Sequence, residues 1–185
     1  MQFDNRSGWL KGTDIRHCLS PFFNERPESQ DIDLLVIHNI SLPPGEFGTP
    51  YIDQLFTGCL QINDHPFFES IAHAQVSSHF LIDRQGSITQ YVSVYKRAWH
   101  AGQSHYQGRD NCNDFAIGIE LEGSDYTPFT DQQYVALIGL CQLLINQLPY
   151  VSAQRITGHS DIAPGRKTDP GPYFDWQRLQ KGLSS

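Results

Sequence analysis

The sequence predicts a single α/β domain, a mixed central β-sheet covered by helices. Three observations lead there: short apolar runs of strand length, one long stretch with helical periodicity, and Pro/Gly-rich connections that interrupt both. The chain has 185 residues, enough for one ordinary domain with a full core and little room for a second. We therefore treat residues 1–185 as one domain, with 1–30 as an irregular N-terminal arm marked by Ser20-Pro21 and Arg26-Pro27.

Asp33 to His38 is a short apolar run opened by an acidic residue, a buried strand by length and composition. It ends at Asn39-Ile40-Ser41, where the loop LPPGEFGTP forbids regular structure. Tyr51 to Leu60 reads as a short helix with Pro50 near its first turn. Ser78–Asp83 and Ser87–Val92 flank Arg84-Gln85-Gly86, which suits a tight hairpin. From Phe115 to Glu122 the residues alternate, with Phe115, Ile117, Ile119 and Leu121 on one face and Ala116, Gly118, Glu120 and Glu122 on the other. Asp131 to Leu148 is the best helix, because Thr130 can cap it and Tyr134, Leu137, Ile138, Cys141, Leu144, Ile145 and Leu148 recur at helical spacing. A short strand at Arg155–Gly158 leads into the His159 loop, and a small closing helix starts near Phe174.

Composition removes several function classes. Hydrophobic residues make up 39% and charged residues 18%, which argues against disorder. A net charge of −7 without any Lys/Arg run disfavours nucleic acid and anionic membranes as partners. Apolar runs such as Leu34-Leu35-Val36-Ile37 are too short to span a bilayer. The first twenty residues carry charges throughout and no apolar signal-peptide core. Cys18, Cys59, Cys112 and Cys141 include no C-x-x-C pair, which removes zinc-ribbon and thioredoxin signals; without a signal peptide, thiols in a reducing cytosol are expected over two disulfides. The reading is a cytoplasmic monomer.

The eight histidines carry more information. His38 ends a buried strand and faces the Pro/Gly loop; alone, such a residue is more often a hydrogen-bonded core histidine than a ligand. His159 follows Thr157-Gly158, and Asp169 stands ten residues later, where a turn or helix-cap role would also explain it. Two imidazoles and a carboxylate nonetheless form a set of three protein ligands that leaves zinc an open position. Spacing alone does not choose them over His73, His79, His100 and His105. Glu120 and Glu122 share one strand face, either as solvent-facing residues or, in an otherwise apolar run, as a partly desolvated general base. Lys167 is a solvated lysine or an electrophile beside such a site.

The segments LLVIHNISLPPGEFG, RAWHAG, QGR, CNDFAIGIELEG, TGHSDIAP and RKTDPGPYFDW, in this order over nearly the whole chain, resemble one family. It is the zinc-dependent N-acetylmuramyl-L-alanine amidases, related to phage lysozyme-type amidases and peptidoglycan-recognition proteins. The resemblance is greatest to cytosolic members that act on 1,6-anhydro-muropeptides in peptidoglycan recycling. It implies Zn2+ held by His38, His159 and Asp169, Glu120 as base and Lys167 as transition-state stabiliser. It implies Asn39, Trp99 and Arg109 as substrate contacts, with an anhydromuropeptide as partner. Gln75 and Asn111 stand where enterobacterial members carry basic residues, so contacts to the peptide's carboxylates lie outside what it implies. An anionic substrate on a chain of charge −7 requires local cations, for which Lys167, Arg97, Arg109 and Arg166 are candidates; Trp99 and Tyr106 are candidates for stacking on sugar faces. The rival class is a peptidoglycan-binding module without catalysis, against which the intact candidate ligands, base and lysine count.

Overall fold

A computed structural model describes residues 1–27 and 31–184. Six strands form the central sheet: β1 (Ile15–His17), β2 (Leu34–Ile40), β3 (Phe80–Ile82), β4 (Ile88–Gln90), β5 (Ala116–Glu122) and β6 (Ile156–Gly158). Their order is β6-β2-β5-β3-β4-β1. The sheet is mixed, because β3 and β4 pair antiparallel through the predicted hairpin while the other pairings are parallel. At that turn the Asp83 carboxylate accepts the N–H groups of Gln85 and Ser87, and Gly86 takes the left-handed conformation that closes it.

The segment read as an irregular arm is more ordered than its composition suggested. Gln2–Asp4 pairs with Trp9–Lys11, Ile15–His17 joins the sheet as β1, and Phe23–Glu25 pairs with Lys96–Ala98. Three-residue strands carry too little periodicity to be read locally, and residues 28–30 of that segment lie outside the described residues. One anchor of the segment is Arg26. Its guanidinium donates to the carbonyls of Val94, Asn113, Asp114 and Ala116 and is so enclosed that burial lowers its pKa to about 9.

Two faces of the sheet are covered. Helix α1 (Tyr51–Thr57) lies on one, and it is shorter than predicted because Gly58 adopts the left-handed C-cap. Helix α2 (Asp131–Gln147) lies on the other, where Leu137, Leu140, Cys141 and Leu144 pack on Leu35, Ile37, Ile117, Ile119 and Leu121. A one-turn helix α3 (His159–Ile162) follows β6, and α4 (Trp176–Leu183) closes the chain. The latter starts after the predicted Phe174, whose ring is buried in the core, since Asp175 accepts the Arg178 N–H as N-cap. Every residue of β5 is buried, which overturns a solvent-facing reading of Glu120 and Glu122.

The start of α2 has a full capping box: the Thr130 hydroxyl accepts the Gln133 N–H, and the Gln133 side chain accepts the Thr130 N–H. Thr130→Ala removes one half and is expected to lower unfolding free energy by about 1 kcal/mol in urea titration. Metal uptake should stay unchanged.

Candidate metal centre

The site forms where three parallel strands end. Register places Glu120 of β5 opposite His38 of β2, and Gly158 of β6 opposite Ile37, so His159 emerges beside His38. These side chains lie on the face away from α2, at the carboxyl ends of the strands, where open α/β sheets hold their ligands. Asp169 arrives from the loop after α3, and its carbonyl accepts the Ser160 N–H.

His38 Nδ1, His159 Nδ1 and Asp169 Oδ2 form a near-equilateral triangle of 2.9, 3.0 and 3.0 Å. Among the described residues, these three compose the one His/Cys/Asp/Glu group able to hold a metal ion. Hydrogen bonding supports that reading. His159 Nε2 lies 3.1 Å from the Ala101 carbonyl, which can only accept, so this nitrogen carries the proton. With Nε2–H so placed, it is Nδ1 that faces the Asp169 carboxylate, at 3.0 Å. Lone pairs converging at this distance repel unless a cation lies among them, and two nitrogens with one carboxylate oxygen suit a borderline-soft divalent ion.

The protonation state of His38 agrees. Burial lowers its pKa to about 4, although its contact with Asp169 pulls the other way, so the ring is neutral at pH 7. The rival histidines separate cleanly. His73 and His105 are exposed, and His105 faces Asp110. His79 is buried with Nδ1 accepting the Gly118 N–H and Nε2 on the Lys96 carbonyl. His100 touches His38 from outside the triangle.

The two glutamates part company. Glu122 accepts the N–H groups of Gly48 and Arg84, which pins the Pro/Gly loop to the strand. Glu120 is 8% exposed, and its Oε2 is buried with no hydrogen-bond partner among the described residues. Burial first, then the Asp169 charge, pushes its pKa well above the ordinary 4.5, with Lys167 opposing. A carboxylate held in this way suits proton transfer.

A cleft of about 310 Å³ opens beside the triangle, lined by Glu120, Lys167, Trp99 and an apolar wall that includes Leu42, Leu55 and Phe67. Lys167 is exposed at its rim. Trp99 lines the cleft with Nε1 donating to Asn24. Asn39 also borders it, but its amide donates to Asp125 and to the Pro170 carbonyl, tethering the loop that carries Asp169. Arg109 lies elsewhere: both Asp33 oxygens accept from its guanidinium, which covers Phe115 at 3.7 Å, near the opposite end of β2 from His38. Tyr106 lies under Arg155. Of the candidate cations, Arg97 pairs with Asp114 and Arg109 with Asp33, whereas Arg166 and Lys167 border the adjoining groove. Asn111 sits at φ 59, a left-handed position that asparagine tolerates, and Gln75 is exposed. The sequence reading missed the Ala101 carbonyl, because a backbone acceptor carries no side-chain signature, and Asn113, because its side-chain oxygen serves backbone N–H groups 12 and 13 positions away.

Glu120 also makes stability depend on pH. Below 4.5 it is protonated in both folded and unfolded chains and costs nothing. As pH rises, the unfolded chain releases this proton first, so the fold loses stability. Metal-free Glu120→Gln is therefore expected to melt above metal-free wild type at pH 8, with the difference shrinking towards zero at pH 4 in parallel thermal scans.

The comparisons with known proteins agree with this geometry. The family model for N-acetylmuramoyl-L-alanine amidases (Amidase_2) matches residues 28–172. The 1,6-anhydro-N-acetylmuramyl-L-alanine amidase AmpD of Enterobacter cloacae is 58% identical over 179 residues, covering 97% of this chain and 94% of that protein. A crystal structure of a selenomethionine AmpD derivative superposes with a TM-score of 0.94 at 54% identity, covering 99% of both chains. The Escherichia coli amidase AmiD, in complex with anhydro-N-acetylmuramic acid-L-Ala-D-gamma-Glu-L-Lys, gives 0.61 at 31% identity over 85% of this chain and 60% of that one. With a matched model spanning most of its length and close relatives covering nearly all of it, the chain belongs to the N-acetylmuramoyl-L-alanine amidase family.

Proposed function

We propose that this chain is a zinc hydrolase that cleaves the amide joining the lactyl group of 1,6-anhydro-N-acetylmuramic acid to L-alanine in muropeptides. The observation that carries this reading is the buried His38–His159–Asp169 triangle beside an unpartnered, desolvated Glu120. AmpD relatives at 56–58% identity favour the anhydro-muropeptide as substrate, and a role in peptidoglycan recycling follows from that substrate. Residues 1–185 would act as one amidase domain. No helix among the described residues is long and apolar enough to cross a membrane. A cytoplasmic monomer is part of the proposal, the compartment being favoured by the recycling substrate of its AmpD relatives.

His38, His159 and Asp169 would hold the zinc, leaving a position open towards the cleft. Zinc there would lower the pKa of a water towards ~7 and polarise the scissile carbonyl. Glu120, with its raised pKa, accepts the proton of the attacking water at its free Oε2 and returns it to the leaving L-alanine amine. Lys167, at the cleft rim, offers its ammonium to the oxygen on which negative charge develops. The apolar wall excludes water around these groups. Trp99 and Asn39 border the substrate's path, and Asn39 serves it mainly by holding the Asp169 loop. Arg109 pairs with Asp33 near the far end of β2, apart from the residues that line the cleft, and would reach only a distal part of the substrate.

Purified protein is expected to hold one zinc by atomic absorption. His38→Ala, His159→Ala and Asp169→Ala should each lose metal and activity together, because each removes one of three protein ligands. His79→Ala should keep its zinc; full occupancy in any of the first three would exclude that residue as a ligand.

Kinetics separate the remaining roles. Glu120→Gln should retain zinc while losing about 10²–10⁴ in kcat, the usual worth of a positioned base. Lys167→Ala should lower kcat more than it raises KM, since the charge it meets develops in the transition state. If only KM moves, Lys167 binds a ground-state carboxylate instead. Turnover of purified anhydromuropeptide by these variants is the measurement.

A further inference from the structure

One dipeptide touches both histidines of the centre from behind. The Ala101 carbonyl faces His159 Nε2 at 3.1 Å, and His100 Nδ1 faces His38 Nε2 at 3.0 Å. The same Asn113 side chain holds both residues, its oxygen accepting the N–H groups of His100 at 3.0 Å and Ala101 at 2.8 Å. Asn113 is itself buried, in the short helical turn that precedes β5.

His100 is half-buried at the border of the cleft; its ring makes one hydrogen bond among the described residues, to His38, while its Nε2 is buried without a partner there. An imidazole whose second nitrogen is buried and unused is a poor choice for packing alone. The sheet also makes room for it. A Cβ at Gly118 would lie 2.5 Å from His100 Cγ and 2.7 Å from Nδ1, so β5 can carry no side chain where the ring rests.

We propose that His100 is a positioning residue of the metal centre. It accepts the Nε2–H of His38 at its own Nδ1 and so keeps the Nδ1 lone pair of His38 turned towards His159 and Asp169. This rests on the zinc-centre reading above. With the proton on the other nitrogen of either ring, His38 would present N–H to the triangle, and a protonated nitrogen cannot ligate. His159 has the equivalent support from the Ala101 carbonyl, so His100-Ala101, clamped by Asn113, sets both imidazoles. Partners of this kind, hydrogen-bonded to the distal nitrogen of a ligand, fix tautomer and ring orientation.

The test compares His100→Leu, which fills the space without an acceptor, with His100→Asn, whose oxygen can occupy the place of Nδ1. Zinc affinity is measured by chelator competition on each folded variant and on wild type, with circular dichroism of the metal-free proteins as the fold check. The expected result is affinity weakened roughly 10- to 100-fold in His100→Leu and largely restored in His100→Asn. Wild-type affinity in His100→Leu overturns the proposal. Equal weakening in both variants also overturns it, because ring volume rather than an acceptor would then be the cause. Failure of the underlying reading shows separately, as a wild-type protein that takes up no zinc, and removes the positioning role with it. A second measurement needs no variant: nitrogen NMR of zinc-loaded wild type should find the His100 proton on Nε2 and a coupling from His38 Nε2–H to His100 Nδ1. A proton on His100 Nδ1 overturns the proposal.

Discussion

The register of three parallel strands is the constraint on which the site depends. β6, β2 and β5 are aligned so that His159, His38 and Glu120 leave the sheet side by side at one edge. Side chains alternate along a strand, so a slip of one residue would send His38 or Glu120 into the packing under α2. That slip is opposed from the other face. Leu35, Ile37, Ile117, Ile119 and Leu121 interdigitate with Leu137, Leu140, Cys141 and Leu144, and a shift would expose this row while burying charge. The core on one face thus fixes the chemistry on the other.

Loops complete the centre, and each is held by a buried or half-buried side chain bonded to backbone. Glu122 holds the Pro/Gly loop through Gly48, Asn39 holds the Asp169 loop through the Pro170 carbonyl, and Asn113 holds His100-Ala101. Irregular chain carries backbone donors and acceptors that no ladder satisfies, so polar side chains rising from strands and turns must supply partners. The result is a cleft whose walls are loops but whose reacting groups have little freedom.

The contrast between Glu120 and Glu122 shows how such a site separates structural from chemical carboxylates. Both leave β5 on the same face and both are buried. Glu122 has its charge met by two backbone donors, whereas Glu120 keeps an unpartnered oxygen and a raised pKa. A buried carboxylate without donors is costly to the fold. Its position next to the metal-binding triangle is where that cost has a chemical use.

Much of this was legible in the sequence. Alternation in Phe115–Glu122, helical spacing in Asp131–Leu148 and the short apolar run before His38 are local patterns with one physical reading, and each became the element it predicted. The motif order carried the family, and with it His38, His159 and Asp169 as a set. Local pattern was silent where the answer depended on long-range contact. Two of the strands within residues 1–27, Ile15–His17 and Phe23–Glu25, have distant partners, and Arg109 pairs with Asp33, 76 positions away in the chain. The rank of Glu120 over Glu122, and the histidine contacts behind His38, turn on which neighbours reach a buried atom. Composition and periodicity specify which faces are buried; only the tertiary structure decides which polar groups find partners there.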